Sequence, residues 1–252
     1  MAEPVCTACD TARRSTGRAL IRFLGAVLAT SGALLVGDAA VTLTWQEPVS
    51  ALFAARSQGA LESELAAESH AFARETSSPS AANGGASLDE GIVAAAYAKR
   101  LHTGDAVGRI AMPTLGRSYV VVEGTDTETL RKGPAHYPDT ALPGQGGTVA
   151  VAGHRTTYLA PFRSIDELQS GQPIVVTMPY GRSTYRVESR RIVEPTALWV
   201  SKRVAHERLV LTACHPLYSA AQRIVVFARL SRSEPALTRL SRGKGRRVDQ
   251  IA

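Results

Sequence analysis

Cysteine is scarce in this chain. Three thiols in 252 residues exclude a disulfide-built scaffold, so each thiol has to be judged by its own surroundings. Basic charge is thin as well. Twenty-nine Lys+Arg against 22 Asp+Glu leave a formal excess of +7, too small by itself to indicate nucleic-acid binding, which shows a concentrated basic face. No internal repeat is visible. What is present is an ordinary 44% of hydrophobic residues, which excludes wholesale disorder, over a length that fits one domain or one domain with an appendage.

The amino terminus reads as a membrane segment. Arg13, Arg14, Arg18 and Arg22 precede an uncharged run from Phe23 to Gly37. That run is short for a bilayer span of roughly 20 residues, but counting from Ala19, with Arg22 snorkelling toward the headgroups, brings it to length. The expected organisation is a cytoplasmic segment 1–18 and an anchor 19–44, with the arginine cluster holding the amino terminus inside. A cleaved signal peptide fits the same stretch, since Gly37, Ala39 and Ala40 offer small residues for cleavage. Either reading exports the remainder. Residues 45–87 read as a juxtamembrane helix, with Val49, Leu52, Phe53, Leu61 and Leu65 at rough helical spacing, followed by a flexible linker from Thr76 to Ser87. The helix is expected to be a solvated spacer.

From 88 to 231 the chain reads mainly as strands. β-branched runs appear at 107–112, 119–122, 148–152, 173–177, 184–187, 191–193, 209–212 and 223–230, with Gly and Pro in most gaps. Capping boxes at Thr125-x-x-Glu128 and Ser164-x-x-Glu167 signal two short helices. About eight strands at this spacing predict a mainly β fold, a closed barrel or a sandwich. Residues 232–252 are basic and expected to form a disordered tail. Weak attraction of this tail to lipid headgroups or wall polymers fits its charge.

Cys6 and Cys9 form a single Cys-x-x-Cys pair, half of a zinc site, with no histidine nearby and no thioredoxin-like context. Cys214 differs. It closes the apolar run Leu209–Ala213 and is followed by His215-Pro216, so a strand should end there and present the thiol at a rigid edge. Two readings fit it, a nucleophile and a small buried apolar residue. A nucleophile needs an acid–base partner and an oxyanion holder. His215 points to the opposite face of an extended chain and cannot easily pair with the thiol. His154, after the run Thr148–Gly153, sits at another strand end, and Gly153 permits close backbone approach there. Arg223 opens the strand Ile224–Ala228, and a hairpin-like return through 217–220 would bring it beside Cys214. Its permanently charged guanidinium suits a developing oxyanion.

His154, Cys214 and Arg223 together resemble the triad of the sortases, and the local sequence is similar to their actinobacterial class E branch. The matching stretches are Val121–Thr125, Arg131–Pro138, Leu142–Gly144, Ala152–Tyr158, Leu211–Pro216 and Ser219–Arg223, with Thr42–Pro48 beside the membrane segment. One departure is Ala213, where the family carries threonine before the cysteine. The resemblance implies an eight-stranded sortase β-barrel with a few short helices. It also implies a transpeptidase that cleaves a carboxy-terminal Leu-Ala-x-Thr-Gly or Leu-Pro-x-Thr-Gly signal between Thr and Gly. Cys214 would attack the Thr carbonyl, Arg223 would hold the oxyanion, and His154 would protonate the leaving amine. The implied partners are surface proteins bearing that signal, an amine of a peptidoglycan precursor, and the membrane, with no nucleic acid, cofactor or metal. Tyr119, Tyr137, Tyr158 and Ala213 are candidates for lining the signal groove.

Rival readings share these residues: a hydrolytic cysteine peptidase, a pilus-polymerising sortase with a lysine acceptor, or a non-enzymatic wall-binding module. With ordinary pKa values near 8.5 for a thiol and 6.5 for imidazole, an independent thiolate–imidazolium pair would be about 1% populated at pH 7. That population predicts a slow enzyme.

Overall fold

The computed structural model describes the backbone of residues 7–45, 48–76 and 89–236, and side chains over 20–40, 49–75 and 89–236. The linker from residue 77, the tail beyond 236, Cys6 and the side chain of Cys9 lie outside the described residues. The chain divides into two units, Met1–Pro48 and Val49–Ala252.

The first unit holds helix α1 (Thr7–Trp45). Within it, Leu20–Ala40 is a 21-residue stretch long and apolar enough to cross a membrane, and its side chains are exposed. By length and composition that stretch is a candidate membrane span.

The second unit begins in helix α2 (Pro48–Thr76) and continues through α3 (Glu90–Ala98), β1 (Ala106–Met112), β2 (Arg117–Glu123), α4 (Thr127–Lys132), β3 (Ala135–His136), β4 (Thr148–Ala152), β5 (Pro173–Met178), β6 (Gly181–Val193), β7 (Arg208–His215) and β8 (Gln222–Pro235). The strands close into one barrel in the order β1-β2-β3-β4-β7-β8-β6-β5, with β5 returning to β1. β2–β3 and β4–β7 pair in parallel and the other neighbours are antiparallel. Closure leaves no free sheet edge to template aggregation.

Strand alternation sorts the side chains. Val149, Val151, Leu209, Leu211, Ala213, Ile224 and Val226 point into the barrel interior with Ile110, Met112, Phe162 and Tyr185. Ala150, Val210, Val225 and Phe227 point outward into a second cluster, covered by Val193 at the end of β6 and by Ala197 and Val200 of the β6–β7 connection. A third cluster, Ala106, Val120 and Val122, is covered by Leu61 and Leu65 of α2.

Helix α2 is therefore not the solvated spacer that its sequence suggested. β3 has only two residues and reaches Val122 and Glu123, so Val120 lies beyond it. The side-chain amide of Gln58 takes its place. Nε2 donates to the carbonyls of Val120 and Lys132, each at 3.0 Å, and Oε1 accepts the Val120 N–H at 2.8 Å. Glu64 accepts the Ala106 N–H at 2.8 Å, and Glu62 pairs with Arg109.

Three further expectations shift. The runs at 184–187 and 191–193 are one long strand, β6, with a register irregularity near Glu188, while β3 had no sequence signal. Asp126, not Thr125, caps α4, its carboxylate accepting the N–H groups of Glu128 and Thr129 at 3.0 Å. β8 runs past 231 to Pro235, because residues 232–235 pair with the extended start of β6.

Because Leu61 is almost fully buried between α2 and the barrel, Leu61→Ala is expected to cost about 2–3 kcal/mol of stability. Urea denaturation of the full chain checks this. An unchanged midpoint would mean that the helix is not packed on the barrel.

Candidate active site

Three strand ends lie side by side in the barrel: the ends of β4 and β7 and the start of β8. In β7, Val210, Thr212 and Cys214 alternate outward while Leu209, Leu211 and Ala213 face inward. The antiparallel register sets Cys214 directly opposite Arg223, across a tight return from His215 to Gln222. On the other side, parallel β4 is in register with β7 through Ala152 and Thr212, and the Gly153 N–H adds one more bond to the Thr212 carbonyl at 3.0 Å. His154 follows, two residues past the end of β4 and next to the glycine that bonds Thr212. A Cβ at Gly153 would sit 2.5 Å from the Phe162 ring, so only glycine lets that core residue close against the strand end.

Cys214 is partly exposed and carries no disulfide. Arg223 donates through Nη1 to the carbonyls of Ala220 (2.9 Å) and Gln222 (3.0 Å), which fixes one end of the guanidinium on its own turn. His154 is half-buried, and its ring lies 5.2 Å from that of Tyr158 at a tilt of 39°. Burial, helped by the nearby Arg131 charge, holds its pKa below the ordinary histidine value. The Arg131 guanidinium also lies 5.9 Å from the centre of the Tyr158 ring.

Tyr158, Leu159 and Ala160 form a left-handed turn, with φ of 50°, 65° and 41°. Such a conformation costs roughly 1–2 kcal/mol per non-glycine residue, so contacts from outside the turn must sustain it. The Phe162 N–H donating to the His154 carbonyl at 3.0 Å closes the loop behind it.

The groove candidates separate. Tyr137 is partly buried and its hydroxyl shares a hydrogen bond with Thr212 Oγ1 at 2.9 Å, on the same face as Cys214. Tyr158 stands beside His154. Tyr119 and Ala213, by contrast, are 8% and 4% exposed and belong to the interior core. Ala213 faces inward because it alternates with Cys214, so its methyl group cannot line a groove that the thiol faces.

Arg155 escaped the sequence reading. Its guanidinium is buried, donating through Nε and Nη2 to the Arg163 carbonyl (3.2 and 2.9 Å) and pairing with Asp166 at 2.7 Å. Nη1 donates to His215 Nδ1 at 3.3 Å, so the residue after His154 is tied to the residue after Cys214. The signal available was a charged residue immediately after a strand end. Its three partners are remote in sequence and gave none.

Among the described residues no group of three or more His, Cys, Asp or Glu side chains could hold a metal ion. A cavity of about 650 Å³ lined by Asp89, Thr140, Gln145, Thr148 and Arg203 lies at the opposite end of β4 from His154.

The family model described as the sortase domain matches residues 110–231, which include His154, Cys214 and Arg223. The chain belongs to the sortase family. It is 32% identical over 132 residues to Sortase D of Bacillus subtilis (strain 168), covering 50% of this chain and 65% of that protein. It is 31% identical over 150 residues to Sortase SrtE2 of Streptomyces coelicolor, covering 53% and 59%. This sortase thus spans less than two thirds of either curated relative. Among solved structures, sortase E from Streptomyces avermitilis is 33% identical with a TM-score of 0.50, over 54% of this chain and 94% of that one.

Removing the Arg131 charge is expected to raise the His154 pKa toward its ordinary value near 6.5. Histidine NMR titration of the wild-type chain and Arg131→Ala checks both the low starting midpoint and the direction of change. An unmoved midpoint would remove Arg131 from the electrostatics of the site.

Proposed function

We propose that this sortase is a membrane-anchored cysteine transpeptidase acting on a carboxy-terminal sorting signal. The carrying observation is the strand register that sets Cys214 opposite Arg223, with His154 just past the end of the neighbouring strand β4. The apolar helix Leu20–Ala40 supports a single-pass anchor, and Arg13, Arg14, Arg18 and Arg22 support a cytoplasmic amino terminus with the barrel outside.

In this mechanism Cys214 Sγ, as thiolate, attacks the carbonyl carbon of the signal's Thr. The negative charge that forms on the carbonyl oxygen is taken up by the Arg223 guanidinium and the Cys214 backbone N–H. As the Thr–Gly bond breaks, the His154 imidazolium gives its proton to the leaving Gly amine. A thioester remains on Cys214. An amine of a peptidoglycan precursor then attacks the thioester, His154 takes the surplus proton, and the thiolate leaves. The product joins the sorted surface protein to the wall precursor.

The lowered His154 pKa bears on rate. An unperturbed imidazole is about one-quarter protonated at pH 7, and His154 falls below that fraction. The imidazolium that must protonate the leaving amine is therefore a minority species at neutral pH. It grows as pH falls toward the His154 pKa. Such an enzyme turns over slowly.

The likeness to class E relatives supports Leu-Ala-x-Thr-Gly as the preferred signal, with Tyr137 and Tyr158 against the extended peptide. The full chain incubated with a Leu-Ala-x-Thr-Gly peptide and triglycine is expected to form the amine-linked product. Cys214→Ala should abolish it, and Arg223→Lys should lower kcat on the order of a hundredfold. Hydrolysis alone would make the protein a peptidase. No turnover, with Cys214 labelled by iodoacetamide no faster than a free thiol, would leave only a wall-binding module.

A further inference from the structure

We propose that the first turns of helix α2 position the active-site histidine, with Ser50 and Phe53 holding the left-handed turn at 158–160 so that the Tyr158 ring fixes the imidazole of His154. The role given to His154 is that of the transpeptidase reading. The contact chain itself is independent of it.

The chain of contacts is short. The Tyr158 N–H lies 3.4 Å from Ser50 Oγ, a long hydrogen bond with the hydroxyl as acceptor. The Phe53 ring meets the Tyr158 ring edge-on, with centroids 6.4 Å apart and planes at 77°. Tyr158 in turn lies 5.2 Å from the His154 ring. Offset and edge-on aromatic pairs of this kind are attractive beyond their buried area.

Three features make this an arrangement for positioning rather than for burial. The turn is left-handed at three successive non-glycine residues, so the local chain does not hold it unaided. Phe53 is 48% exposed, so its contribution to the core is small. The rest of the helix is fastened elsewhere, by Gln58 on Val120, Leu61 and Leu65 on the β1–β2 surface, and Glu64 on Ala106. With its middle fixed to the barrel, α2 presents its first turns as a rigid strut against Tyr158. Ala54 at 0% exposure shows how closely the helix already seats at that level. Arg131 of α4 approaches the same tyrosine ring, so elements from three places in the chain bear on one side chain.

This also gives a use to Phe53, which the barrel core does not need. Val49, Leu52 and Phe53 carry helical periodicity but are largely exposed, whereas Leu61 and Leu65 are buried. The helix has an anchoring half and a half that meets the site.

The test uses the full chain in detergent micelles, with 13C-labelled histidine, and two variants of one helix. In Phe53→Ala the Tyr158 ring loosens and water reaches the imidazole, so the His154 titration midpoint rises toward 6.5. In the same variant the loss of positioning outweighs the gain in imidazolium, so kcat falls on the order of tenfold, KM changes less than about twofold and the urea midpoint barely moves. Leu61→Ala should do the reverse, lowering the urea midpoint while leaving the His154 midpoint and kcat unchanged under native conditions. An unmoved His154 midpoint in Phe53→Ala overturns the proposal. So does a moved midpoint with unchanged kcat, or the same losses in Leu61→Ala. The titration is read without turnover, so an inactive wild-type chain would sink the transpeptidase reading and leave the contact chain still to be judged by the midpoint.

Discussion

The parallel pairing of β4 with β7 is the constraint on which the rest depends. Five residue pairs, from Thr148–Arg208 to Ala152–Thr212, fix the relative height of two strand ends to within a residue. A shift of one position would turn every side chain to the opposite face, placing Cys214 inside the barrel and Ala213 outside it. Both faces of this pair are buried at its centre, in the interior core on one side and, for Ala150 and Val210, in the cluster with Val200 on the other. Slippage is therefore costly in either direction. The antiparallel β7–β8 return then adds Arg223 at a position that the same register dictates.

Rigid strands end where the chemistry begins, and the ends need their own support. Arg155 supplies one part, reaching from the residue after His154 to His215, Arg163 and Asp166. A buried guanidinium is tolerable only with most donors used, and here Nε, Nη1 and Nη2 each have a partner. Helix α2 supplies another, by way of Tyr158. The site is thus braced by segments before β1 and after β4 that contribute no reacting atom.

The strand-end placement of His154, Cys214 and Arg223 was legible in the sequence, because each lies beside a breaker or a return: Gly153 before His154, Pro216 after Cys214, and the stretch 217–220 before Arg223. Their grouping came from the resemblance to the sortases. Alternation along Leu209–Cys214 also held the information that Ala213 faces away from the thiol, since Leu209 and Leu211 share its parity. Tyr119 was harder. Both faces of β2 are apolar, one toward the interior and one toward α2, so periodicity does not say which side is the groove. β3 was invisible because two residues carry no period. The packing of α2 was hidden because Gln58 and Glu64 look like surface residues until their backbone partners, far away in the chain, are in place.

The central claim is that Cys214, His154 and Arg223 act as one site on an acyl group. Intact-mass spectrometry of the full chain, incubated with a Leu-Ala-x-Thr-Gly peptide and no added amine, tests it most directly. The account predicts a mass increase equal to the Thr-terminated fragment, mapped by peptide digestion to Cys214 and discharged when triglycine is added. An adduct on another residue, or cleavage of the peptide in the Cys214→Ala variant, would contradict it.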